Sequence, residues 1–256
     1  MIEFKQTVAL ALIASAVVTS TAQASLFDRG GGLLYDNVLN VTWLQDANYA
    51  KTSGYDADGL MNWTSANTWA ANLVYHDGVR NVDYSDWRLA SNTPVNGSSF
   101  NYDYAFDGSR DSGYNITSPH SELAYMYNVN LALKDSYSTT GNTQPDFGIF
   151  GNGTYNGVDT LSSGQNNVGL VNNLQGFAYW SGTEYTPDSN SAWILATALG
   201  AQYNIAKSYE IYAWAVRPGD VAAVPVPGAV WLFLSGLMGV LSFNRRKNKT
   251  ANLIAA

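Results

Sequence analysis

Residues 176–220, GFAYWSGTEYTPDSNSAWILATALGAQYNIAKSYEIYAWAVRPGD, contain four short runs of aromatic and aliphatic residues separated by turn-forming residues. Such runs are typical of strands, and we place strands at 177–180, 192–196, 202–205 and 212–216. In the last run Tyr212, Trp214 and Val216 share one face, because side chains on a strand alternate between its two sides. The block predicts an antiparallel meander that closes the domain.

Two helices are predicted upstream of this block. Residues 62–74 carry apolar side chains at helical spacing, namely Ala66, Trp69, Ala70, Leu73 and Val74. A second helix is predicted to open with Ser118 as N-cap and Pro119 at its first position. With a β-hairpin over 26–50 and a buried strand at 86–89, the expected fold class is α+β. We expect two helices and a mainly antiparallel, irregular, loop-rich sheet.

The N-terminal residues 1–24 have the order of a secretory signal peptide. Lys5 precedes the apolar run 8–18, and Ala22-Gln23-Ala24 occupies the A-x-A position. This predicts cleavage between Ala24 and Ser25, with Sec-type export machinery as the partner. Residues 25–220 then form one exported domain.

The C-terminal residues 224–249 predict a membrane segment. A Val-Pro-Val-Pro motif precedes an apolar run over 228–243, which is followed by a cluster of basic residues. The run makes about 24 Å of helix, slightly short of the roughly 30 Å hydrocarbon core. We predict a linker over 221–227, a single transmembrane helix over 228–244 and a basic cytoplasmic tail over 245–256, because basic flanks stay in the cytoplasm.

The charge of the exported region limits its partners. Removing Glu3, Lys5 and the four basic tail residues from 20 Asp and Glu and 13 Lys and Arg leaves 19 and 8, a net charge of −11. Nucleic acid is therefore excluded as a partner. The chain has no cysteine, which excludes disulfides, thiolate metal sites and thiol nucleophiles.

Two residue sets could carry metal or catalytic chemistry. Asp103, Asp107 and Asp111 recur every four residues in a polar loop and are weak Ca²⁺ candidates, since Ca²⁺ takes about 6–8 oxygen ligands. The spacing is not that of an EF-hand, so no metal is assigned and no cofactor is expected. His76 and His120 are the only histidines and match no zinc or Ser-His-Asp pattern, which argues against an enzyme.

The C-terminal residues resemble the PEP-CTERM sorting domain, which exosortase-type membrane proteases recognise. Its proline motif and basic end correspond to Val224, Pro225, Val226, Pro227, Arg245, Arg246 and Lys247. The Val-Pro-Val-Pro sequence replaces Pro-Glu-Pro, as in the VPxPxAxWLF variant. The resemblance implies export across the inner membrane of a Gram-negative bacterium. A membrane-anchored precursor would be processed by an exosortase-like enzyme and reach the cell surface or the extracellular space.

The exported region resembles the DUF1566 family, a domain allied to the C-type lectin-like fold. The matching segments are Asp28-Arg29, TWLQDANY at 42–49, DWRL at 86–89, Ser121-Glu122-Leu123, YWSGTEY at 179–185, Ala192-Trp193 and AVRP at 215–218. The chain departs from the family at Ala90-Ser91, where Pro-Thr is usual, and by an insertion over 92–117. The resemblance implies adhesion or ligand display.

Three charged residues of these segments, Arg88, Glu184 and Arg217, lie among aromatic residues. Buried charges are usually paired. We therefore hypothesise a structural ion pair in which Glu184 accepts a hydrogen bond from Arg88 or from Arg217.

The composition favours a binding function without catalysis. Tyr, Asn, Ser and Gly dominate the polar residues, and this mixture is typical of adaptable binding surfaces. We expect a binding or adhesion module of the extracellular matrix or biofilm, with extracellular polysaccharide as a candidate partner. A structural matrix component without a specific ligand is the alternative, and a polysaccharide-acting enzyme is less favoured.

Overall fold

The computed structural model describes residues 26–149 and 164–222. Within these ranges the chain is α+β, with mostly antiparallel strands and few helices. The strands are β1 Leu26–Asp28, β2 Leu33–Asp36, β3 Val41–Leu44, β4 Tyr75–Asp77, β5 Val82–Tyr84, β6 Arg88–Leu89, β7 Tyr104–Ala105, β8 Ser112–Gly113, β9 Gly164–Val168, β10 Val171–Gln175, β11 Tyr179–Glu184, β12 Ser191–Ala196, β13 Ala201–Ala206 and β14 Ala215–Pro218. The helices are α1 Tyr49–Thr52, α2 Trp63–Asn72 and α3 Glu122–Tyr125, the last continuing into a π-helical turn, Met126–Asn130.

The first five-stranded sheet joins the two ends of the described chain. Its order is β1-β2-β3-β14-β6, so the last strand lies between the third and the sixth. In the register, Val216 faces Trp43 on one side and Arg88 on the other. Ala215 and Val216 are fully buried, as expected for a strand with a neighbour on each side.

The second five-stranded sheet has the order β11-β12-β13-β8-β7. The predicted antiparallel meander is confirmed for β11, β12 and β13. It is wrong for the fourth run, because 215–218 leaves this sheet and forms β14 in the first one. Strand pairing between distant segments leaves no local pattern in a sequence, so proximity along the chain suggested the wrong neighbour.

The two predicted helices had different outcomes. Helix α2 is confirmed over Trp63–Asn72, and Asn62 caps it by accepting a hydrogen bond from the Ser65 amide at 3.0 Å. The predicted helix was too long at its end, because Val74 lies beyond it and is 60% exposed. The second helix begins at Glu122 instead of Pro119. The Ser118 hydroxyl donates to the Val95 carbonyl at 2.9 Å, which holds it in the preceding loop and away from the helix end.

Aromatic side chains make up much of the core. Trp43, Trp69 and Trp180 are at most 2% exposed. The Trp180 indole donates to the Met61 carbonyl at 2.8 Å and the Trp214 indole to the Leu44 carbonyl at 2.7 Å. These bonds satisfy polar N–H groups that would otherwise be costly to bury.

The segment over residues 92–117 packs on the second sheet. Phe100 and Tyr102 both stack on Trp193 of β12, with ring centroids 5.8 Å and 6.2 Å away. Tyr185 meets Trp193 edge-on at 5.1 Å. The segment 92–117 therefore covers Trp193 of this sheet and leaves Tyr102 partly exposed.

The chain beyond β14 is held against the start of the domain. It turns at Gly219, whose φ of 73° suits glycine, and then lies beside the turn between β1 and β2. Arg29 binds both carboxylate oxygens of Asp220, at 2.9 and 2.5 Å. Arg80 donates from Nε to the Ala222 carbonyl and from Nη2 to the Arg29 carbonyl, both at 2.5 Å. We call these contacts the exit clamp.

The predicted targeting segments fall outside the described residues. This applies to Ala24, Ser25 and the sorting residues Val224, Pro225, Val226, Pro227, Arg245, Arg246 and Lys247. Within the described ranges, no helix has the length and apolarity needed to span a bilayer. The transmembrane helix predicted at 228–244 remains a prediction.

Candidate functional site

A cleft of about 170 Å³ lies at the end of β3, between α1 and the two-stranded sheet of β9 and β10. Its lining combines aromatic and polar side chains and includes Gln45, Asp46, Tyr49, Tyr75 and Asn172. We call it the tyrosine cleft. It is smaller than the roughly 300 Å³ of typical drug-sized pockets, so it suits one small ring or head group.

Backbone hydrogen bonds fix the two walls of the cleft. After β3 the chain runs beside β10, with the Ala47 amide bonded to the Asn172 carbonyl at 2.9 Å and the Asn172 amide to the Gln45 carbonyl at 2.8 Å. This bridge places the side chains of Asp46 and Asn172 at the same level. The Asn172 side chain forms no hydrogen bond with any described residue, so its amide is available to a ligand.

Two tyrosines supply the aromatic part of the cleft. The rings of Tyr49 and Tyr75 meet edge to face, with centroids 5.3 Å apart and planes at 67°. The Tyr75 hydroxyl donates to the Gly31 carbonyl at 2.7 Å, and its ring packs on the buried Trp87 at 5.9 Å. Gly32 has a φ of 75°, and a Cβ there would overlap the Tyr75 hydroxyl. The position of Tyr75 is therefore well determined.

Among the described residues, Asp46 is the only acidic one that lines the cleft. Its Oδ1 accepts from the Asn48 amide at 2.9 Å and its Oδ2 from the Asn173 side chain at 3.0 Å. The ion pairs formed between described residues do not include Asp46. Its carboxylate is thus oriented by neutral donors and has no cationic partner.

The cleft tyrosines are held in the protonated form. Burial raises the pKa of Tyr49, and the Asp46 carboxylate raises it further. Burial also raises the pKa of Tyr75, with smaller contributions from Tyr49, Asp77 and Asp46. Both hydroxyls remain hydrogen-bond donors well above neutral pH. No described residue bonds to the Tyr49 hydroxyl, which leaves that donor to a ligand.

A second, more open cavity of about 360 Å³ is formed by neighbouring residues of the same two segments. It is lined by Asn48, Lys51, Thr52, Asn173 and Gln175. Its amide and hydroxyl groups can both donate and accept. A polymer that entered the tyrosine cleft would find further polar groups here.

Comparison with known proteins does not assign a function to this site. No family model, no curated protein and no solved structure matches the chain. The resemblances to the DUF1566 family and to the PEP-CTERM sorting domain therefore remain predictions from the residues quoted above.

Arg88, Glu184 and Arg217 were considered for one structural ion pair. Each of them forms an ion pair, but none pairs with another of the three. Arg88 binds Glu122 through two hydrogen bonds of 2.7 Å, and the Glu122 carboxylate also accepts from the Ser91 amide at 2.7 Å. The prediction that Glu184 pairs with Arg88 is therefore wrong.

The alternative partner, Arg217, is also wrong. Arg217 binds Asp86 at 2.7 and 2.9 Å, and this contact lowers the pKa of Asp86. Glu184 binds Lys207, whose ammonium group lies 4.3 Å from the centre of the Trp63 ring. The two guanidinium groups predicted to bind Glu184 instead bind Glu122 and Asp86.

The three aspartates considered for Ca²⁺ serve different local purposes. Asp111 is 1% exposed and accepts from the amides of Val95 and Asn101, at 2.8 and 2.6 Å. Asp107 accepts from the amide and hydroxyl of Ser109, and Asp103 is exposed. Across 26–149 and 164–222, no group of three or more His, Cys, Asp or Glu residues is placed to hold a metal ion.

The two histidines make separate contacts. His76 pairs with Asp83 at 2.7 Å on the exposed hairpin of β4 and β5. His120 contacts the Thr93 hydroxyl at 3.2 Å. Neither lines the tyrosine cleft.

Sequence reasoning did not assign the tyrosine cleft as a site. Gln45, Asp46 and Tyr49 belong to the TWLQDANY segment, which was quoted for a resemblance only. Tyr75 and Asn172 lie far along the chain in segments without a motif. The sequence signal for the cleft was an acidic residue, Asp46, and an aromatic residue, Tyr49, shortly after a strand. This combination is too common to indicate a site by itself.

Proposed function

We propose that the protein is a non-enzymatic surface protein whose exported domain binds extracellular polysaccharide through the tyrosine cleft. The observation that carries the proposal is an aromatic pair beside the amide of Asn172, the hydroxyl of Tyr49 and a carboxylate, Asp46, that has no cationic partner among the described residues. A sugar ring offers hydroxyls that both donate and accept, and a C–H face that packs on aromatic rings. The cleft supplies a complementary group for each.

The rest of the chain supports this proposal. The α+β, mostly antiparallel architecture is compatible with a C-type lectin-like domain of the DUF1566 type. In our proposal the signal peptide directs the domain out of the cytoplasm, and the sorting signal directs it to the cell surface or matrix. The exported region carries a net charge of −11 (19 acidic against 8 basic residues), so strongly anionic polymers are poor ligands.

Replacing one cleft tyrosine tests the proposal. We expect the full chain, purified in mild detergent, to bind soluble polysaccharide saturably, and Tyr49→Ala to weaken binding roughly tenfold or more, because it removes half of the aromatic pair and a free hydroxyl. Isothermal titration calorimetry against a panel of neutral, cationic and anionic polysaccharides measures this.

Tyr209→Ala is the matched control, because Tyr209 is 60% exposed and lines neither cavity. It should bind like the unmodified chain. Equal losses in both variants, or no saturable binding to any polymer, would contradict the proposal. The second of these results would favour a structural matrix component without a specific ligand.

A further inference from the structure

The tyrosine cleft has an uncompensated negative charge beside its aromatic pair. Asp46 lacks a cationic partner among the described residues, and both of its oxygens already accept from neutral donors. A carboxylate so placed accepts further hydrogen bonds most favourably from a cationic donor, since charge-assisted bonds are the stronger kind.

The tyrosine rings favour the same ligand chemistry. An aromatic face attracts a cation within about 6 Å of its centre, and cages of aromatic rings hold quaternary ammonium groups. Tyr49 and Tyr75 meet at 67° with their centres 5.3 Å apart. The ring of Trp87, which is 4% exposed, lies edge to face with Tyr75 at a centroid distance of 5.9 Å.

From these contacts we infer that the tyrosine cleft selects ligands that carry an ammonium group, such as the free amine of a deacetylated hexosamine. This inference rests on the proposed polysaccharide function and specifies its ligand class. An ammonium group in the cleft would bind the Asp46 carboxylate and face the rings of Tyr49 and Tyr75. The cleft volume of about 170 Å³ admits a group of this size.

The surrounding charges agree with a cationic ligand. Two basic residues of neighbouring elements are already engaged: Arg80 binds Asp77 at 2.5 Å, and Arg29 binds Asp220. Lys51 lines the second cavity and not the tyrosine cleft. Attraction by the net negative domain would also raise the local concentration of a cationic polymer.

An experiment can distinguish an ammonium group carried by a sugar polymer from a small free ammonium ion. The full chain in detergent is titrated with chitosan oligomers, with fully N-acetylated oligomers of equal length, and with tetramethylammonium as a quaternary ammonium probe. We expect the deacetylated oligomers to bind at least tenfold more tightly than the acetylated ones. We expect this preference to shrink as salt is added.

Asp46→Asn should abolish the preference and leave similar, weak binding of both oligomers. Asp103→Asn, which removes an exposed carboxylate outside the cleft, should retain it. If Asp46→Asn fails to fold, Tyr49→Leu should reduce the preference instead.

The remaining outcomes show whether this inference, the proposed function or both are wrong. Equal binding of acetylated and deacetylated oligomers by the unmodified chain would overturn the inference and leave polysaccharide binding intact. Binding of tetramethylammonium alone would support the ammonium site but overturn the polysaccharide function. No binding of any probe would overturn both.

Discussion

Asp135 is a buried acidic side chain with an unusual environment. It is 1% exposed, its Oδ2 accepts from the Asn115 amide, and its Oδ1 has no hydrogen-bond partner. Burial raises the pKa of Asp135 to about 7, and the bond from Asn115 only partly opposes this. The carboxyl group is therefore protonated in the folded protein at pH values where an unfolded aspartate is charged.

This residue predicts a specific dependence of stability on pH. Between the unfolded pKa of about 3.9 and the folded pKa of about 7, the folded state binds more protons. The contribution of Asp135 to the free energy of unfolding therefore falls as pH rises through this window, by on the order of 1.4 kcal/mol per pH unit, and is constant above it. Asp135→Asn should remove this decline.

Urea unfolding of the unmodified chain and of Asp135→Asn at pH 4, 5, 6, 7 and 8 measures the difference between the two. The comparison isolates Asp135, because the carboxyl groups whose pKa is lowered, such as that of Asp86, are present in both proteins. Asp103→Asn, an exposed carboxylate, should follow the unmodified chain. Parallel curves for Asp135→Asn and the unmodified chain would show that Asp135 titrates normally.

At the level of elements, one ion pair joins β6 to α3. Glu122 is 8% exposed and accepts three hydrogen bonds, two from Arg88 and one from the Ser91 amide. Arg88 lies in a strand that borders β14. The pair therefore connects the first sheet to the helix that packs in the core.

Glu122→Ala should lower the free energy of unfolding by about 2–3 kcal/mol. It leaves the Ser91 amide without its acceptor and Arg88 without its counter-ion. This expected loss of stability is smaller than the roughly 3–5 kcal/mol for breaking a fully buried pair, because the Arg88 side chain is 40% exposed. Chemical denaturation of the purified chain measures it.

The exposed pair His76 and Asp83 provides the comparison, with side chains 60% and 64% exposed. Asp83→Ala should change stability by at most about 1 kcal/mol. If both substitutions cost the same, the Glu122 pair contributes no more than a surface contact.

The elements that sequence predicted best are those with local signals. The apolar spacing over residues 62–74 was sufficient to place α2. Ser118 and Pro119 gave an equally strong local signal for the second helix and were wrong, because Val95 from another segment holds Ser118 outside the helix. A candidate capping side chain can bond either to the helix end or to a distant backbone group. The sequence shows only the first of these partners.

The architecture as a whole depends on its last strand. β14 lies between β3 and β6, and Val216 is fully buried at this position. The first sheet therefore cannot form until the C-terminal part of the domain is present. Its contacts span most of the described chain, which makes folding depend on non-local pairing.

Two truncations of the chain test this dependence. A chain that ends after Ala222 keeps β14 and the exit clamp, and should unfold cooperatively and resist proteolysis. A chain that ends after Tyr212 lacks β14 and should be degraded or aggregate, since β3 and β6 lose their shared neighbour. Limited proteolysis and circular dichroism distinguish these outcomes.

The first truncation also tests the predicted membrane segment. We expect the full chain to fractionate with membranes and the chain ending after Ala222 to be released in soluble form. Retention of the shortened chain in the membrane fraction would refute the anchor predicted at 228–244.

The tyrosine cleft illustrates what the sequence could not provide at this scale. Its residues come from positions 32, 44–49, 75 and 172, and the bridge between Asp46 and Asn172 joins the second of these segments to the last. The α+β class followed from short periodic segments, each of which can be recognised by itself. A cleft formed by four separate segments depends on how they pair, and no single segment contains that information.

The exit clamp has a mechanical consequence. Tension applied beyond residue 222 would first break the contact of Arg80 with Ala222 and the pair of Arg29 with Asp220, since both precede β14 in the path of the force. Residues 219–222 would then straighten, lengthening the tether by up to about 14 Å before the hydrogen bonds of β14 are strained. If the domain is displayed on a cell surface as proposed, residues 219–222 would form a short extensible element between that surface and the sheet.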